Sequence, residues 1–275
     1  MSPRAAATLA ALAAMGCARS PSPLTPNLVG PMVGMPGRGV LLSAMELPPQ
    51  GPGWTWQKSQ GHHHALPRFV EAIMEAAAEV ARARPGGAPL VVGDLSGPNG
   101  GRVQGHRSHR TGRDADLLYY VETPSGESVT SPGFVRFGPD GLAPVGDGGS
   151  AGYVRIDLAR EWILLRSLLQ SERANVQWFF VSRPVEALLT EYARAKGEPP
   201  DLVWRAETVM RQPSDSAPHD DHVHLRTGCL PQEALTGCEG GGPTWPWLPE
   251  PPRLLPGLDD SIFSSLSEVE DDGDR

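Results

Sequence analysis

The sequence predicts an α+β domain with long loops. Two observations carry this: stretches with helical spacing share the chain with short strand-like runs, and 32 Gly and 29 Pro separate them with turns. At 275 residues the chain suffices for one domain with a buried core, flanked by tails. A helical bundle fits this composition poorly. A formal charge of −8 opposes nucleic-acid binding, which needs a basic surface that releases counterions.

The first 17 residues place one Arg before an Ala-rich run that ends at Gly16-Cys17, the pattern of an export leader. Gly16-Cys17 resembles the end of a bacterial lipobox, which makes Cys17 a candidate lipidation site and the periplasm, with an outer-membrane anchor, the expected location. The alternative is an ordinary leader with a stray cysteine. Lipidation of Cys17 would leave Cys229 and Cys238 to pair, a loop closure worth about 2–3 kcal/mol in an oxidising compartment. If the leader reading fails, both stay reduced thiols. Residues 18–60, dense in Pro and Gly, read as a linker and lead-in, and 61–248 as the domain.

Leu66, Phe69, Val70, Ile73, Ala77 and Val80 recur at helical spacing until Pro85-Gly86-Gly87 stops them. Leu90, Val91 and Val92 form a short buried strand, and the Gly-rich residues 96–113 form a long loop that delivers His106 and His109. Residues 114–121 alternate as a strand with Asp114, Asp116, Leu118 and Tyr120 on one face. Asp157 caps a helix through Leu169, residues 176–181 are a strand, Pro184 opens a further helix, and Asp201 caps another. Near the end, Val223 and Leu225 share one strand face, leaving His222, His224 and Arg226 on the other. Residues 249–275 are acidic and cannot bury enough apolar surface to order themselves.

All 8 His fall into three groups: 62–64, 106 with 109, and 219 with 222 and 224. Together with Asp they supply nitrogen and oxygen donors that suit a catalytic zinc with three protein ligands and an open position. A 2-His-1-carboxylate iron oxygenase uses the same donors, but its first His and carboxylate normally stand two apart, unlike His109 and Asp116.

The run Ser-His-Arg-Thr-Gly-Arg-Asp-Ala-Asp at 108–116, followed by His222-Val223-His224, resembles the superfamily of lysostaphin-type enzymes, D-alanyl-D-alanine metallopeptidases and hedgehog domains. Within it the chain resembles the penicillin-insensitive murein endopeptidases, also through Gly93-Asp94, Gly100-Gly101, Gly105-His106 and His219 to Arg226. The resemblance implies a central antiparallel sheet with flanking helices. It also implies His109, Asp116 and His224 as ligands of Zn2+, His222 as base, His219 as oxyanion support and His106 as an auxiliary group. Its implied reaction is hydrolysis of D-alanyl–diaminopimelate cross-links in peptidoglycan. The cysteines near the C-terminus agree with it. Where a second metal would call for a His, the chain has Ala143, so one ion is expected.

Blander readings stand beside these. His62, His63 and His64 read as exposed loop residues outside the site, and His106 as either auxiliary or loop-stabilising. Asp220 and Asp221 read as loop-forming groups or supports for the ligands, and Arg226 as binding either a substrate carboxylate or a structural one. Trp245 and Trp247 read as burying a chain end rather than lining a glycan groove. A D-alanine carboxypeptidase and a zinc-bearing peptidoglycan-binding module that does not cut remain the alternative functions.

Overall fold

The computed structural model describes residues 30–59, 61–146, 152–214, 216–240, 242–243 and 245–248. The leader, Cys17 and the tail from 249 lie outside the described residues. The chain opens with the hairpin β1 (Met32–Met35) and β2 (Arg38–Leu41), then β3 (Met45–Glu46), β4 (Gln50–Gly51), β5 (Trp54–Trp56) and β6 (His64–Ala65). Of the residues 18–60 expected as linker and lead-in, those from Met32 onward form these strands, and β4 and β5 pair into the main sheet. Those strands are two to four residues long, too short to show periodicity, yet Met32, Leu41 and Leu47 are fully buried.

Helix α1 (Pro67–Ala83) follows as expected, burying Phe69, Ile73, Ala76 and Val80 along one face, with Pro67 in its first turn. Next come β7 (Leu90–Val92), β8 (Asp114–Leu118), β9 (Val121–Glu122), β10 (Ser128–Val129), β11 (Leu142–Val145) and β12 (Gly152–Ile156). Helix α2 (Leu158–Gln170) starts at Asp157, whose side chain accepts from the Arg160 N–H. Then follow β13 (Val176–Phe180), α3 (Arg183–Ala195), α4 (Pro200–Val209), β14 (Met210–Arg211), β15 (His222–Thr227) and the short α5 (Pro231–Ala234). Asp201 does not cap α4: Pro199 holds that position and Asp201 sits in the first turn, where its charge still complements the helix dipole.

The main sheet runs β14-β13-β15-β8-β7-β5-β4. Its central strands β13, β15, β8 and β7 are antiparallel, as expected, but β5 with β7 and β13 with β14 are parallel. The sheet is thus mixed, because α1 between β5 and β7, and α3 with α4 between β13 and β14, return the chain in the same direction. A second sheet has four strands in the order β10-β9-β12-β11. Among the described residues no helix is long and apolar enough to cross a membrane.

Register decides what each sheet face carries. Leu225 pairs with Ala115 and with Phe179, and Val223 with Leu117; these join one hydrophobic core with Phe69, Ile73, Trp162 and Leu165 of the helices. Strand alternation sends the intervening residues to the other face: Asp114 and Asp116, His222, His224 and Arg226, Trp178 and Phe180.

Candidate metal centre

Asp116 and His224 lie directly opposite each other on β8 and β15. The loop before β8 returns His109 to them, with φ of 63° at that residue, a left-handed conformation rare for anything but glycine. Asp114 Oδ2 accepts from the His109 N–H at 3.1 Å, and Ser96 Oγ donates to the His109 carbonyl at 2.6 Å, which holds this backbone in place. His219, with φ of 57°, is the second such residue in the site.

His109 Nε2, Asp116 Oδ1 and His224 Nδ1 form a triangle with sides of 3.3, 3.1 and 3.4 Å. Donors about 2.0–2.2 Å from one tetrahedral ion stand roughly 3.3 Å apart. His106, His109 and Asp116, and likewise His219, His222 and His224, offer donor atoms all within 4.8 Å of one another.

Hydrogen bonds fix which atoms point inward. His109 Nδ1 lies 2.7 Å from the Leu95 carbonyl and His224 Nε2 2.9 Å from Asp114 Oδ1. A carbonyl and an ionised carboxylate only accept, so both outer nitrogens carry a proton, and a ring that binds a metal here would do so in its neutral form through His109 Nε2 or His224 Nδ1. These two atoms meet Asp116, fully buried, neither of whose oxygens has a hydrogen-bond partner of good geometry among the described residues, although three histidine nitrogens stand 3.1–3.3 Å from its Oδ1. Two imidazole nitrogens and a buried carboxylate oxygen at this mutual spacing are the donor types and distances of metal ligands, so these residues fit a bound metal.

Asp114 supports rather than lines the centre. Burial alone would raise its pKa, but Arg226 and the His224 hydrogen bond hold it well below the usual carboxylate range. Arg226 Nε donates to the same Oδ1 at 2.6 Å, which settles on a structural carboxylate as its partner.

His222 Nδ1 lies 2.6 Å from Asp221 Oδ1, and its Nε2 lies 3.3 Å from Asp116 Oδ1. Burial lowers its pKa, but Asp116 and Asp221 outweigh that and raise it to about 9. His219 stands 5.0 and 5.3 Å, ring to ring, from His222 and His224; burial, with those two rings, pushes its pKa down to about 4. His106 Nδ1 lies 3.7 Å from Asp116 Oδ2, and its Nε2 lies 3.3 Å from Asp94 Oδ2. The His106 hydrogen bond is the main reason the Asp94 pKa drops to about 2.

The three consecutive histidines stay outside the donor cluster, but they are not free loop residues. His63 is buried and stacks on Trp56 at 3.6 Å, His62 faces Asp94, and His64 is in β6. Asp140 is exposed and Ala143 is buried in β11, so that loop offers no His/Asp pair for a metal. Cys229 and Cys238 form a disulfide. Trp245 donates to the Gln177 carbonyl at 3.0 Å and packs edge-on against Trp178, pinning the chain end to β13.

A cleft of about 660 Å³ opens onto the centre, lined by Met35, His106, Phe180, His219, His222 and Arg226 among others. That volume suits a small ligand or a peptide segment. Residues 32–132 match the family model for penicillin-insensitive murein endopeptidases. The matched segment bears out the resemblance read from the sequence, and it contains His106, His109, Asp114 and Asp116 but ends before β15. No curated protein matches the chain. Sequence reasoning missed Asp94 as the partner of His106, although Gly93-Asp94 was within the motif. It also missed Phe134 and Phe180, rings beside His222 and His224, because neither stands in a spacing pattern.

Proposed function

We propose that this chain is a zinc-dependent peptidase that hydrolyses cross-links of bacterial peptidoglycan at the bond between D-alanine and diaminopimelate. The observation that carries the reading is the triangle of His109 Nε2, Asp116 Oδ1 and His224 Nδ1, donor atoms 3.1–3.4 Å apart as ligands of one ion would be. The family match supports the substrate. His109 Nε2, Asp116 Oδ1 and His224 Nδ1 are the proposed ligands of one ion, a set that leaves one position open. Zinc bound there supplies Lewis acidity toward the scissile carbonyl and toward water.

His222 is the proposed base. Asp221 takes up its Nδ1–H, so Nε2 is the atom that receives the proton of the attacking water and returns it to the leaving amine. Asp116 is the main source of its raised pKa, so the His222 Nε2 lone pair would become available once that carboxylate served as a metal ligand. His219 is neutral near pH 7, so it supports the developing oxyanion by donating an N–H and not by charge. His106, oriented by Asp94, stands beside Asp116 as an auxiliary group. The proposal includes export directed by residues 1–17, with Cys17 as lipid attachment point.

Mass spectrometry of cross-linked muropeptides digested by the zinc-loaded protein tests the reading. Release of monomers is expected; removal of terminal D-alanine alone would make the chain a carboxypeptidase, and no cleavage would overturn the proposal. His222→Ala is expected to keep its zinc and lose about 10²- to 10⁴-fold in rate. Equal activity in that variant would remove His222 from the mechanism.

A further inference from the structure

Phe134 is a large apolar side chain left 39% exposed, and its ring meets the His222 imidazole edge-on at 5.1 Å and 89°. A single exposed hydrophobe needs no explanation on its own. This one differs because the loop that carries it is fixed. Gly133, at φ of 111°, makes a bend open to glycine, and four residues later Phe137 is buried against Tyr119 at 5.5 Å. The Phe137 N–H also donates to the Asp220 carbonyl at 2.8 Å, tying the loop to the segment that leads into β15. Val135 and Phe137 belong to or pack against the hydrophobic core; Phe134 does neither. A Cβ on Gly93 would come within 3.1 Å of the Phe134 ring, so the glycine after β7 is what lets the ring lie close over the sheet.

Phe180, on β13, makes the matching contact on the other flank: its ring is 5.4 Å from His224, and it lines the cleft. In strand order the metal-binding candidates on β15 and β8 thus stand between Phe180 on the β13 side and Phe134 beside Gly93 on the β7 side.

Resting on the peptidase reading, we infer that Phe134 is a substrate-contacting residue. It forms the apolar wall on the His222 side of the centre, against which methyl and methylene groups next to the scissile amide pack, with Phe180 as the opposing wall. The ring moves no proton and holds no metal, so its contribution is to binding.

Steady-state kinetics on a purified cross-linked muropeptide dimer compare the zinc-loaded wild type with Phe134→Ala and Phe134→Leu. The expected result for Phe134→Ala is a KM raised about tenfold with kcat changed less than about twofold. Zinc content and Tm should be unchanged, and Phe134→Leu should recover most of the loss. An unchanged KM in Phe134→Ala, or a fall confined to kcat, overturns the inference and leaves the peptidase reading standing. So does a lowered Tm, which would make the ring a packing residue. A wild type that cuts no muropeptide overturns the peptidase reading and this inference with it.

Discussion

Asp116 and Glu161 are both wholly buried carboxylates, and their surroundings drive them in opposite directions. Burial disfavours the charge of each. Around Asp116, His109 and His222 reverse that penalty and push its pKa well below the usual range. Glu161 on α2 has one backbone donor, the Tyr120 N–H at 3.1 Å, and no partner on its other oxygen. Burial outweighs that hydrogen bond and the Asp157 charge adds to it, so the Glu161 pKa rises to about 8, while its neighbour Arg160 is turned toward Asp157 and the Arg84 carbonyl. Burial of an acid is therefore no sign of function; what converges on it is. One of these carboxylates sits where a cation would be held, and the other is a proton carrier inside a helix-packed core.

The sharpest way to break the comparison is Asp116→Asn, which leaves the volume and removes the charge. Loss of zinc binding and a fall in muropeptide cleavage of about 10³-fold or more are expected, read by metal analysis and by rate. Retained zinc would place the ion elsewhere. Asp114→Asn acts one bond further out, through the His224 ring and the His109 backbone, and is expected to weaken zinc affinity by about 10- to 100-fold. No change in affinity would show that the two rings are oriented without it.

Glu161→Gln tests the other half and should leave zinc untouched. The folded protein keeps the Glu161 proton up to about pH 8, while the unfolded chain loses it near 4.5, so wild-type stability falls as pH rises between those values. Denaturant unfolding from pH 5 to 8 should show that slope in the wild type and a flatter profile in Glu161→Gln, which becomes the more stable of the two at pH 8. Parallel profiles would mean that Glu161 is already ionised in the fold.

Much of the candidate site was legible in the sequence, because it is built from rare residue types at fixed spacing. His109 and Asp116, seven apart, and the His222/His224 pair on one strand face could be read without any structure, and α1 and α2 declared themselves through apolar periodicity and, for α2, its cap. What escaped depends on contacts across the fold. The two-residue strands in the lead-in, the burial of His63 on Trp56 and the parallel flanks of the main sheet leave no local pattern. Asp94 and Phe134 gain their meaning only once folding sets them beside His106 and His222.

The alternation of β8 and β15 makes the centre a matter of odd and even. Ala115 and Leu117 interleave with Asp114 and Asp116, and Val223 and Leu225 with His222 and His224, so each strand carries two alphabets, one oily and one coordinating. Gaining or losing a single residue inside either strand would exchange them, turning carboxylates into the oil and methyl groups toward the water. Length variation in this chain should therefore be confined to its loops, and these two strands should tolerate changes of letter far better than changes of count.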